Sequence, residues 1–381
     1  LEYYAGEGFR MHGKTLPSES RDTFTYTIRQ PLGIVGLIAP WNFPWAIPVW
    51  KSAPAIVAGN CVVFKPAELT PATSVLLAEI YEEAGLPPGV FNMLVGSGSQ
   101  VGEAMVNAPE LRAISFTGSN KIGGELYVKA ARRGAKVTCE MGGKNAVIVM
   151  PDADLDKAAT AIHGGAFGST GQRCTATSRV IAHPDVKKAL VDRLVAAAEK
   201  IRLGPGLDSA SDMGPSVDEK QWKTVMDYIA VGKGEGAKLL TGGTRPEAFS
   251  KGYFVEPTIF DGVSPSMRIF KEEIFGPVLS VATASSLDEA LKFANSVEYG
   301  LTTSIFTSDI TSVMKFVEDV ETGMVHVNEP TVGGEAQLPF GGTKSTGVGE
   351  REMAEEGLNF FTEIKTVFIN YSGSAERSMT R

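Results

Sequence analysis

The sequence has few of the residues that build metal centres, disulfide frameworks and histidine-based catalytic triads. Its 381 residues include three cysteines and four histidines, and no histidine stands at metal-ligand spacing from another ligand. A metal site and a Ser-His-Asp triad are therefore disfavoured, and no metal is predicted. The odd cysteine count without framework spacing favours a reducing compartment, the cytoplasm, over a disulfide-linked secreted protein.

Basic runs and long uninterrupted apolar runs are also missing. The net charge is −8 and the pI is near 5.3, so neither nucleic acid nor an anionic membrane is predicted as a partner. The most apolar stretch, residues 34–64, is interrupted by Lys51 and contains four prolines. Prolines break a helix interior, so this stretch is not predicted to span a membrane.

Short β-branched runs alternate with helical patterns along most of the chain. The predicted strands of a first block are 34–38, 61–65, 91–95, 112–116 and 136–140. A second block begins after Gly142-Gly143 and has predicted strands at 146–150, 179–182, 278–281, 302–306 and 324–327. Such alternation indicates an α/β fold with parallel sheets, which bind ligands at the carboxyl ends of their strands. The glycine-rich region 204–257 is predicted to be mostly loop.

Two segments fit neither block. Residues 23–29 alternate strictly between polar and apolar side chains, as exposed antiparallel strands do, and residues 366–371 are interpreted as a second strand of this kind. Together they are predicted to form a small projecting sheet with an edge suited to a partner subunit.

Two turns between a strand and a helix have residues suited to a pyrophosphate. The first, Gly96-Ser97-Gly98-Ser99-Gln100-Val101-Gly102, departs from the usual dinucleotide fingerprint, so a plain tight turn is as good an interpretation. The second is Phe116-Thr117-Gly118-Ser119, where an ordinary helix cap is the simpler alternative.

Three residues have side chains suited to acyl chemistry. Cys174 follows small polar residues and stands beside Arg173 near a helix end, a setting that favours a thiolate. Glu140 ends a buried strand just before a glycine pair, where a capping or salt-bridged glutamate is the commoner case. Asn42, between two prolines, is a candidate donor to an oxyanion.

Seven motifs occur in one order and together resemble the NAD(P)-dependent aldehyde dehydrogenase superfamily over essentially the whole chain. They are Pro-Trp-Asn-Phe-Pro, Lys-Pro-Ala-Glu, Phe-Thr-Gly-Ser, Glu-x-Gly-Gly-Lys, Gly-Gln-Arg-Cys, Glu-Glu-Ile-Phe-Gly-Pro and Pro-Phe-Gly-Gly. The family's opening segment is missing, so the chain is expected to be truncated at its start.

The resemblance implies a catalytic set. Cys174 is the nucleophile, Glu140 activates the water that hydrolyses a thioester, and the Asn42 amide holds the oxyanion together with the Cys174 N–H. It also implies the cofactor contacts. NAD is favoured because Glu68 would repel a 2′-phosphate, and NADP stays open because Lys65 beside it would tolerate the phosphate. The implied cofactor-binding residues are Ala39, Pro40, Trp41, Lys65, Glu68, Gly96, Phe116, Gly118, Ser119, Met141, Glu273 and Phe275.

The resemblance also implies a small aldehyde as substrate. Positions where succinic semialdehyde dehydrogenases carry arginine are Trp50 and Gly168 here, and other segments look closest to 2-oxoglutarate semialdehyde (2,5-dioxopentanoate) dehydrogenases. The implied substrate residues are Phe43, Trp50, Arg173, Thr175 and Phe340. For Arg173, contact with a distal carboxylate and simple support of the loop remain equal alternatives. Succinic semialdehyde or another small aldehyde also stays open as substrate.

The family's fold implies a Rossmann-type cofactor domain (1–12, 32–142 and 346–361), an α/β catalytic domain (143–345) and a small β oligomerisation arm (13–31 and 362–373). A homodimer or homotetramer is expected. Two alternatives of other classes remain, a cofactor-independent thiol esterase using Cys174 and Glu140, and a non-catalytic homologue.

Overall fold

The computed structural model describes residues 1–373. The helices, in chain order, are α1 (Glu2–Glu7), α2 (Ala46–Val57), α3 (Pro71–Glu83), α4 (Glu103–Asn107), α5 (Asn120–Arg132), α6 (Leu155–Phe167), α7 (Pro184–Ala198), α8 (Glu219–Gly234), α9 (Arg268–Lys271), α10 (Leu287–Asn295), α11 (Ile310–Asp319) and α12 (Ala354–Phe360).

The strands, in chain order, are β1 (Thr15–Pro17), β2 (Thr23–Pro31), β3 (Ile34–Ile38), β4 (Cys61–Lys65), β5 (Phe91–Met93), β6 (Leu111–Thr117), β7 (Lys136–Glu140), β8 (Asn145–Val149), β9 (Thr177–Ala182), β10 (Lys238–Thr241), β11 (Thr258–Asp261), β12 (Val278–Thr283), β13 (Tyr299–Gly300), β14 (Thr302–Phe306), β15 (Met324–Val327), β16 (Thr343–Lys344), β17 (Gly347–Val348) and β18 (Thr362–Asn370).

The chain divides into two compact units. The first contains residues 1–140, 335–340 and the chain from 348 onward, and the second contains 141–334 and 341–347. This division assigns Met141 and Gly142 to the second unit and Phe340 to the first, and it does not separate the arm from the first unit. The cofactor and catalytic roles expected for the two units stay predictions.

The first unit is built on parallel strands in the order β7-β6-β3-β4-β5. Val35, Leu37 and Phe64 are fully buried, because a sheet covered on both faces demands continuous apolar strands. The turns after β3, β4, β6 and β7 are the segments that the sequence analysis selected, and they follow the carboxyl ends of neighbouring strands.

The second unit has a seven-stranded sheet in the order β10-β11-β12-β9-β8-β14-β15. Its pairs are parallel except β10 with β11. Two apolar clusters line the sheet. The predicted α/β class with parallel sheets is confirmed.

The two orphan segments pair with each other. β18 runs antiparallel to β2 in register from Thr362–Pro31 to Asn370–Thr23, and β1 pairs with the other edge of β2. The predicted pairing of the two segments in a small sheet is therefore confirmed, and β1 adds a third strand that was not predicted. β2 continues to Pro31, and β18 begins at Thr362.

The loop prediction for 204–257 was wrong in part. The 16-residue helix α8 lies there, capped by the Asp218 side chain on the Gln221 N–H, and β10 follows it. Gly232 misled the prediction, because this glycine serves close packing and not a turn. A Cβ at Gly232 would lie 3.1 Å from atoms of Ile269 and Phe260.

No helix in residues 1–373 is long and apolar enough to cross a membrane. Within the same residues, no group of three or more His, Cys, Asp or Glu side chains is arranged to hold a metal ion.

Candidate active site

The loop that carries Cys174 follows a strained turn. After α6 the chain passes through Ser169, Thr170 and Gly171, which have φ values of 53°, 60° and 66°. Left-handed backbone costs a β-branched residue such as threonine about 1–3 kcal/mol, and such strain is concentrated at functional sites. The Thr170 hydroxyl donates to the Gly214 carbonyl at 3.1 Å, which helps to hold the turn.

The peptide of Cys174 is fixed by the residues that open β8. The Asn145 amide donates to the carbonyls of Cys174 and Ala176, both at 2.8 Å. A Cβ at Gly143 would lie 2.5 Å from the Cys174 carbonyl oxygen, so only glycine allows this approach. The Glu-x-Gly-Gly-Lys and Gly-Gln-Arg-Cys motifs, 30 residues apart in the sequence, therefore meet at the backbone of the candidate nucleophile.

Glu273 lies against the same glycine pair. The Gly143 N–H donates to Glu273 Oε1 at 2.9 Å, and a Cβ at Gly142 would overlap the Glu273 carboxylate. Burial raises the pKa of Glu273 to about 7, while the Gly143 N–H and the Lys144 charge oppose the shift. The carboxylate is thus placed by backbone, in a position that no larger residue at 142 or 143 would permit.

A small cavity of about 20 Å³ in the second unit is lined by several of the predicted residues. Its lining includes Gly143, Arg173, Glu273, Phe275 and Gly276. A Cβ at Gly171 would overlap the Gly276 carbonyl, so the turn before Cys174 packs directly on the Glu-Glu-Ile-Phe-Gly-Pro segment. Phe275 itself has a left-handed backbone with φ 57°.

Arg173 turns back on its own loop. Its Nε donates to the Ser169 hydroxyl at 3.0 Å. Burial lowers the pKa of Arg173, while interaction with the Cys174 thiolate raises it. This hydrogen bond favours the interpretation in which Arg173 supports its own loop. Arg173 also lines the small cavity. Thr175 is buried, and its carbonyl accepts from the Thr331 hydroxyl at 2.8 Å.

In the first unit, Glu140 ends β7 as a buried carboxyl group, only 4% exposed. Its Oε2 has no hydrogen-bond partner within residues 1–373. Desolvation raises the pKa of Glu140 well above its usual range, the Glu352 charge raises it further, and the charges of Lys51 and Arg351 oppose both. The missing partner of Oε2 within residues 1–373 goes against the sequence alternative of a salt-bridged or capping glutamate.

The turns after β3 and β4 meet at their backbones. The Ala39 N–H donates to the Lys65 carbonyl at 3.2 Å. Lys65 is buried and donates from Nζ to the Pro66 carbonyl at 2.9 Å, and Glu68 Oε1 accepts from the Gly98 N–H at 3.1 Å. Desolvation lowers the pKa of Lys65, and Glu68 opposes that shift.

The start of α5 is open to an anion. Ser119 holds the N-cap position, yet its hydroxyl makes no capping hydrogen bond, so the ordinary-cap alternative is not what the structure has. The first backbone N–H groups of this 13-residue helix carry the positive end of its dipole. The Gly118 N–H donates to the Glu140 carbonyl at 3.0 Å, and buried Phe116 packs where a Cβ at Gly118 would lie.

The profile of the aldehyde dehydrogenase family matches residues 1–367. The chain belongs to this family. It is 50% identical to a 2,5-dioxopentanoate dehydrogenase of Saccharolobus solfataricus over 97% of this chain and 77% of that protein. It is 47% identical to an alpha-ketoglutaric semialdehyde dehydrogenase of Bacillus subtilis over 97% of this chain and 76% of that protein.

Solved structures agree with this assignment. A betaine aldehyde dehydrogenase from Staphylococcus aureus, in complex with NAD⁺, superimposes with a TM-score of 0.95 over 98% of this chain and 74% of that chain, at 35% identity. An aldehyde dehydrogenase from Bacillus cereus gives a TM-score of 0.94 at 39% identity, over 97% of this chain and 74% of that chain. The aldehyde dehydrogenase resemblance and the expected fold are thereby confirmed, together with the reaction class, oxidation of an aldehyde to an acid.

The remaining predicted residues of this aldehyde dehydrogenase lie in several separate places. Trp50 and Phe340 pack with ring centroids 5.6 Å apart, and Phe43 and Trp50 both pack on the apolar core of the first unit.

Pro40, Trp41 and Asn42 are partly exposed in the turn after β3. Gly96 lies in the turn before residues 98–102, and a Cβ there would contact Val101. Met141 is buried and donates its N–H to the Thr346 carbonyl at 2.7 Å.

Sequence reasoning missed the buried charges beside Glu140. Lys51 forms an ion pair with Glu352 and donates to the Ser115 hydroxyl at 2.8 Å. Lys51 is 1% exposed. A signal was present, because a lone charge inside an apolar run must be paired when it is buried. The partner lies 301 residues away along the chain, and no spacing rule would find it.

Replacing Asn145 with alanine should loosen the Cys174 loop. The 3% exposed amide bonds two carbonyls and accepts from the Thr302 N–H at 3.3 Å. Leaving such groups unsatisfied costs about 1–3 kcal/mol each, so we expect Asn145→Ala to lose about 2–4 kcal/mol of unfolding free energy in urea. The rate of Cys174 alkylation should change with it. Exposed Asn107→Ala is the matched control, and equal stability of the two variants would contradict the role of Asn145.

Proposed function

We propose that this aldehyde dehydrogenase oxidises a short ω-oxo acid, 2-oxoglutarate semialdehyde in particular, to the dicarboxylic acid with NAD as acceptor. The observation that carries the proposal is the strained loop before Cys174, whose neighbour Arg173 lines the same small cavity as Glu273. Two relatives above 45% identity named for this substrate support it.

The chemistry follows from three side chains in separate roles. Cys174 attacks the aldehyde carbon as a thiolate and forms a thiohemiacetal, which splits one difficult step into two. The Asn42 amide and the Cys174 N–H would hold the oxyanion, and such donors are worth about 2.7–4 kcal/mol each. NAD, when bound, supplies the hydride acceptor that converts the thiohemiacetal to a thioester. Glu140 then takes a proton from the water that hydrolyses the thioester.

Glu140 suits a general base at neutral to alkaline pH. A base works best when its pKa lies near the working pH, and burial raises the pKa of Glu140 well above its usual range. The accepting form is the carboxylate, so deacylation should become faster as pH rises through that raised pKa. Enzymes that pass the acyl group to coenzyme A lack this residue, which supports a free acid as product.

Several features fit a bound dinucleotide. The uncapped start of α5 at Ser119 suits a pyrophosphate. Lys65 ends β4 and Glu68 follows it, where an adenosine ribose would be held, and Glu273 would hold the nicotinamide ribose. Glu68 would accept from a free 2′-hydroxyl and repel a 2′-phosphate, which favours NAD over NADP. Phe116, Phe275 and the backbone near Ala39, Gly96, Gly118 and Met141 would line the cofactor.

The substrate's distal carboxylate is assigned to Arg173. Its Nε is used by Ser169, so a carboxylate would be met by the outer guanidinium nitrogens. Thr175, Phe43, Trp50 and Phe340 would shape the rest of the substrate site. A carboxylate recognised by arginine explains why a semialdehyde acid is preferred to a simple alkanal.

A panel of aldehydes tests the proposal. We expect kcat/KM for 2-oxoglutarate semialdehyde to exceed that for succinic semialdehyde and for propanal by about tenfold or more, with NAD preferred to NADP. Arg173→Met should narrow the gap between the ω-oxo acids and propanal, whereas Arg202→Met, on the exposed surface, should leave it unchanged. Equal use of all aldehydes would contradict the substrate assignment. Ester hydrolysis without aldehyde-dependent NAD reduction would select the thiol esterase instead.

We further propose that the β1–β2–β18 sheet joins subunits in a homodimer or homotetramer. Its strands expose apolar side chains that a monomer would leave in water, namely Phe24, Ile28, Ile364, Phe368 and Ile369. All three cysteines are free thiols, which supports a reducing location, the cytoplasm. Light scattering on a Phe368→Lys and Ile364→Lys double variant would show smaller particles, and unchanged mass would contradict the assignment.

A further inference from the structure

Lys144 is a buried cation that the proposed chemistry does not use. It follows the glycine pair that holds Glu273, immediately before β8, and is 1% exposed. Its Nζ has no hydrogen-bond partner in the described residues 1–373. An ammonium without partners in the interior costs several kcal/mol, so a stabilising role for this charge is not supported.

Arg179, the neighbouring buried cation, does not neutralise the charge of Lys144. Arg179 is 2% exposed and donates to the carbonyls of Lys144, Phe293 and Ala294 at 2.8, 3.1 and 3.1 Å. Its guanidinium also lies 4.8 Å from the centre of the Phe270 ring. Arg179 is therefore satisfied by neutral groups, and its positive charge repels that of Lys144.

The charges of two carboxylates, Glu273 and Glu272, raise the pKa of Lys144, and one of the two is already engaged. Glu272 is bound by Arg268 through two contacts of 2.9 Å and accepts from the Tyr228 hydroxyl at 2.8 Å. Glu273 accepts from the Gly143 N–H. Burial, with the Glu273 charge as the second cause, raises the pKa of Tyr299 to about 12, so this phenol is neutral. Glu273 is thus the carboxylate whose charge Lys144 balances.

We propose that Lys144 is a positioning residue whose uncommitted ammonium keeps the Glu273 carboxylate ionised and ready to accept the hydroxyls of the nicotinamide ribose. This inference rests on the proposed function. A carboxylate accepts two hydrogen bonds from a diol, whereas a protonated carboxyl group offers one fewer acceptor and carries no charge. The cation is retained at a cost to folding because it serves the neighbouring anion.

The protonation balance supports the same geometry. Burial raises the pKa of Glu273 to about 7, and Lys144 acts against this rise. Burial lowers the pKa of Lys144 to about 7, with the Arg179 charge as the second cause and Glu273 and Glu272 acting in the opposite direction. Removing the ammonium therefore moves the ionisation of Glu273 to higher pH.

The test is Lys144→Met, which keeps the length of the side chain and removes the charge. NAD affinity, measured by calorimetry from pH 6 to 9, should rise with pH through about 7 in the wild type. In Lys144→Met the midpoint should move upward by about one pH unit, which is about tenfold weaker binding at pH 7. The melting temperature of the cofactor-free variant should equal or exceed that of the wild type, because a buried unpartnered charge is gone.

Controls separate this role from a structural one. Lys200→Met, at an exposed lysine of the same unit, should leave both curves unchanged. Glu273→Gln should flatten the pH dependence of NAD binding, and adding Lys144→Met to it should weaken binding no further. If Lys144→Met proves unstable, Glu273→Gln tests the proposal alone. The proposal is overturned if NAD binding by Glu273→Gln keeps the pH dependence of the wild type.

Different results would exclude the proposed function and the role of Lys144. A wild-type enzyme that binds no NAD would remove the proposed function. A wild type that binds NAD and oxidises aldehydes, together with a Lys144→Met midpoint that does not move, would remove only the role of Lys144.

Discussion

Cys174→Ala is expected to lose aldehyde oxidation, with kcat lower by on the order of 10⁴-fold or more. Alanine keeps the small size of the side chain and removes the sulfur that forms the thiohemiacetal. Asn145 holds the peptide of residue 174 through its backbone, so the loop itself should survive the substitution. Steady-state NADH formation with 2-oxoglutarate semialdehyde is the measurement, and NAD affinity by calorimetry should stay near the wild-type value.

The other two thiols provide matched controls. Cys61 lies in β4 and Cys139 is buried in β7. Burial raises the pKa of Cys139 to about 12, so it should react last with iodoacetamide at neutral pH. We expect Cys61→Ala to keep full turnover and Cys174 to be the first cysteine alkylated, as read by mass spectrometry. Residual turnover of a few per cent in Cys174→Ala would assign the nucleophile elsewhere.

Glu140→Gln is expected to stop the cycle after its first half. Glutamine is nearly isosteric but cannot accept a proton, so the thioester should accumulate on Cys174. A rapid-mixing experiment should show a burst of about one NADH per active site, followed by a steady rate lower by about 10²–10⁴-fold. Glu79→Gln, on the exposed side of α3, is the same chemical change at a neutral position and should keep the steady rate.

The raised pKa of Glu140 fixes how its contribution to the free energy of unfolding changes with pH. The pKa of Glu140 is raised in the folded protein, so the folded state binds this proton more tightly than the unfolded chain does. Its favourable contribution is present below the unfolded pKa near 4.5 and is lost as pH rises through the folded value. Glu140→Gln should therefore be more stable than wild type at pH 8 and similar to it near pH 4.

In the rapid-mixing experiment, steady turnover without a burst would exclude Glu140 as the base of deacylation.

The regular elements of both units followed from local pattern. Ile34–Ile38, Cys61–Lys65 and Lys136–Glu140 form strands with the predicted bounds, because continuous apolar residues between turn signals are enough to specify a buried parallel strand. Helix α8 was missed because Gly232 is read locally as a turn residue. Its actual contacts, Ile269 and Phe260, are distant in sequence.

The strands of the arm could be predicted from the sequence, but their register could not. The period of two in β2 predicted an exposed strand, and the segment that forms β18 was predicted to pair with it. The register from Thr362–Pro31 to Asn370–Thr23 was outside its reach, because register depends on which backbone groups meet and on the neighbouring packing.

The sequence by itself determined the family, the reaction class and the order of the chemical motifs, because turns at strand ends carry functional residues in short, recognisable segments. Only the tertiary structure decided how charges are balanced: Lys51 with Glu352, and Lys144 beside Glu273. Such pairs join residues more than a hundred positions apart. Their energies depend on burial, which is a property of the whole folded unit and not of any local run of residues.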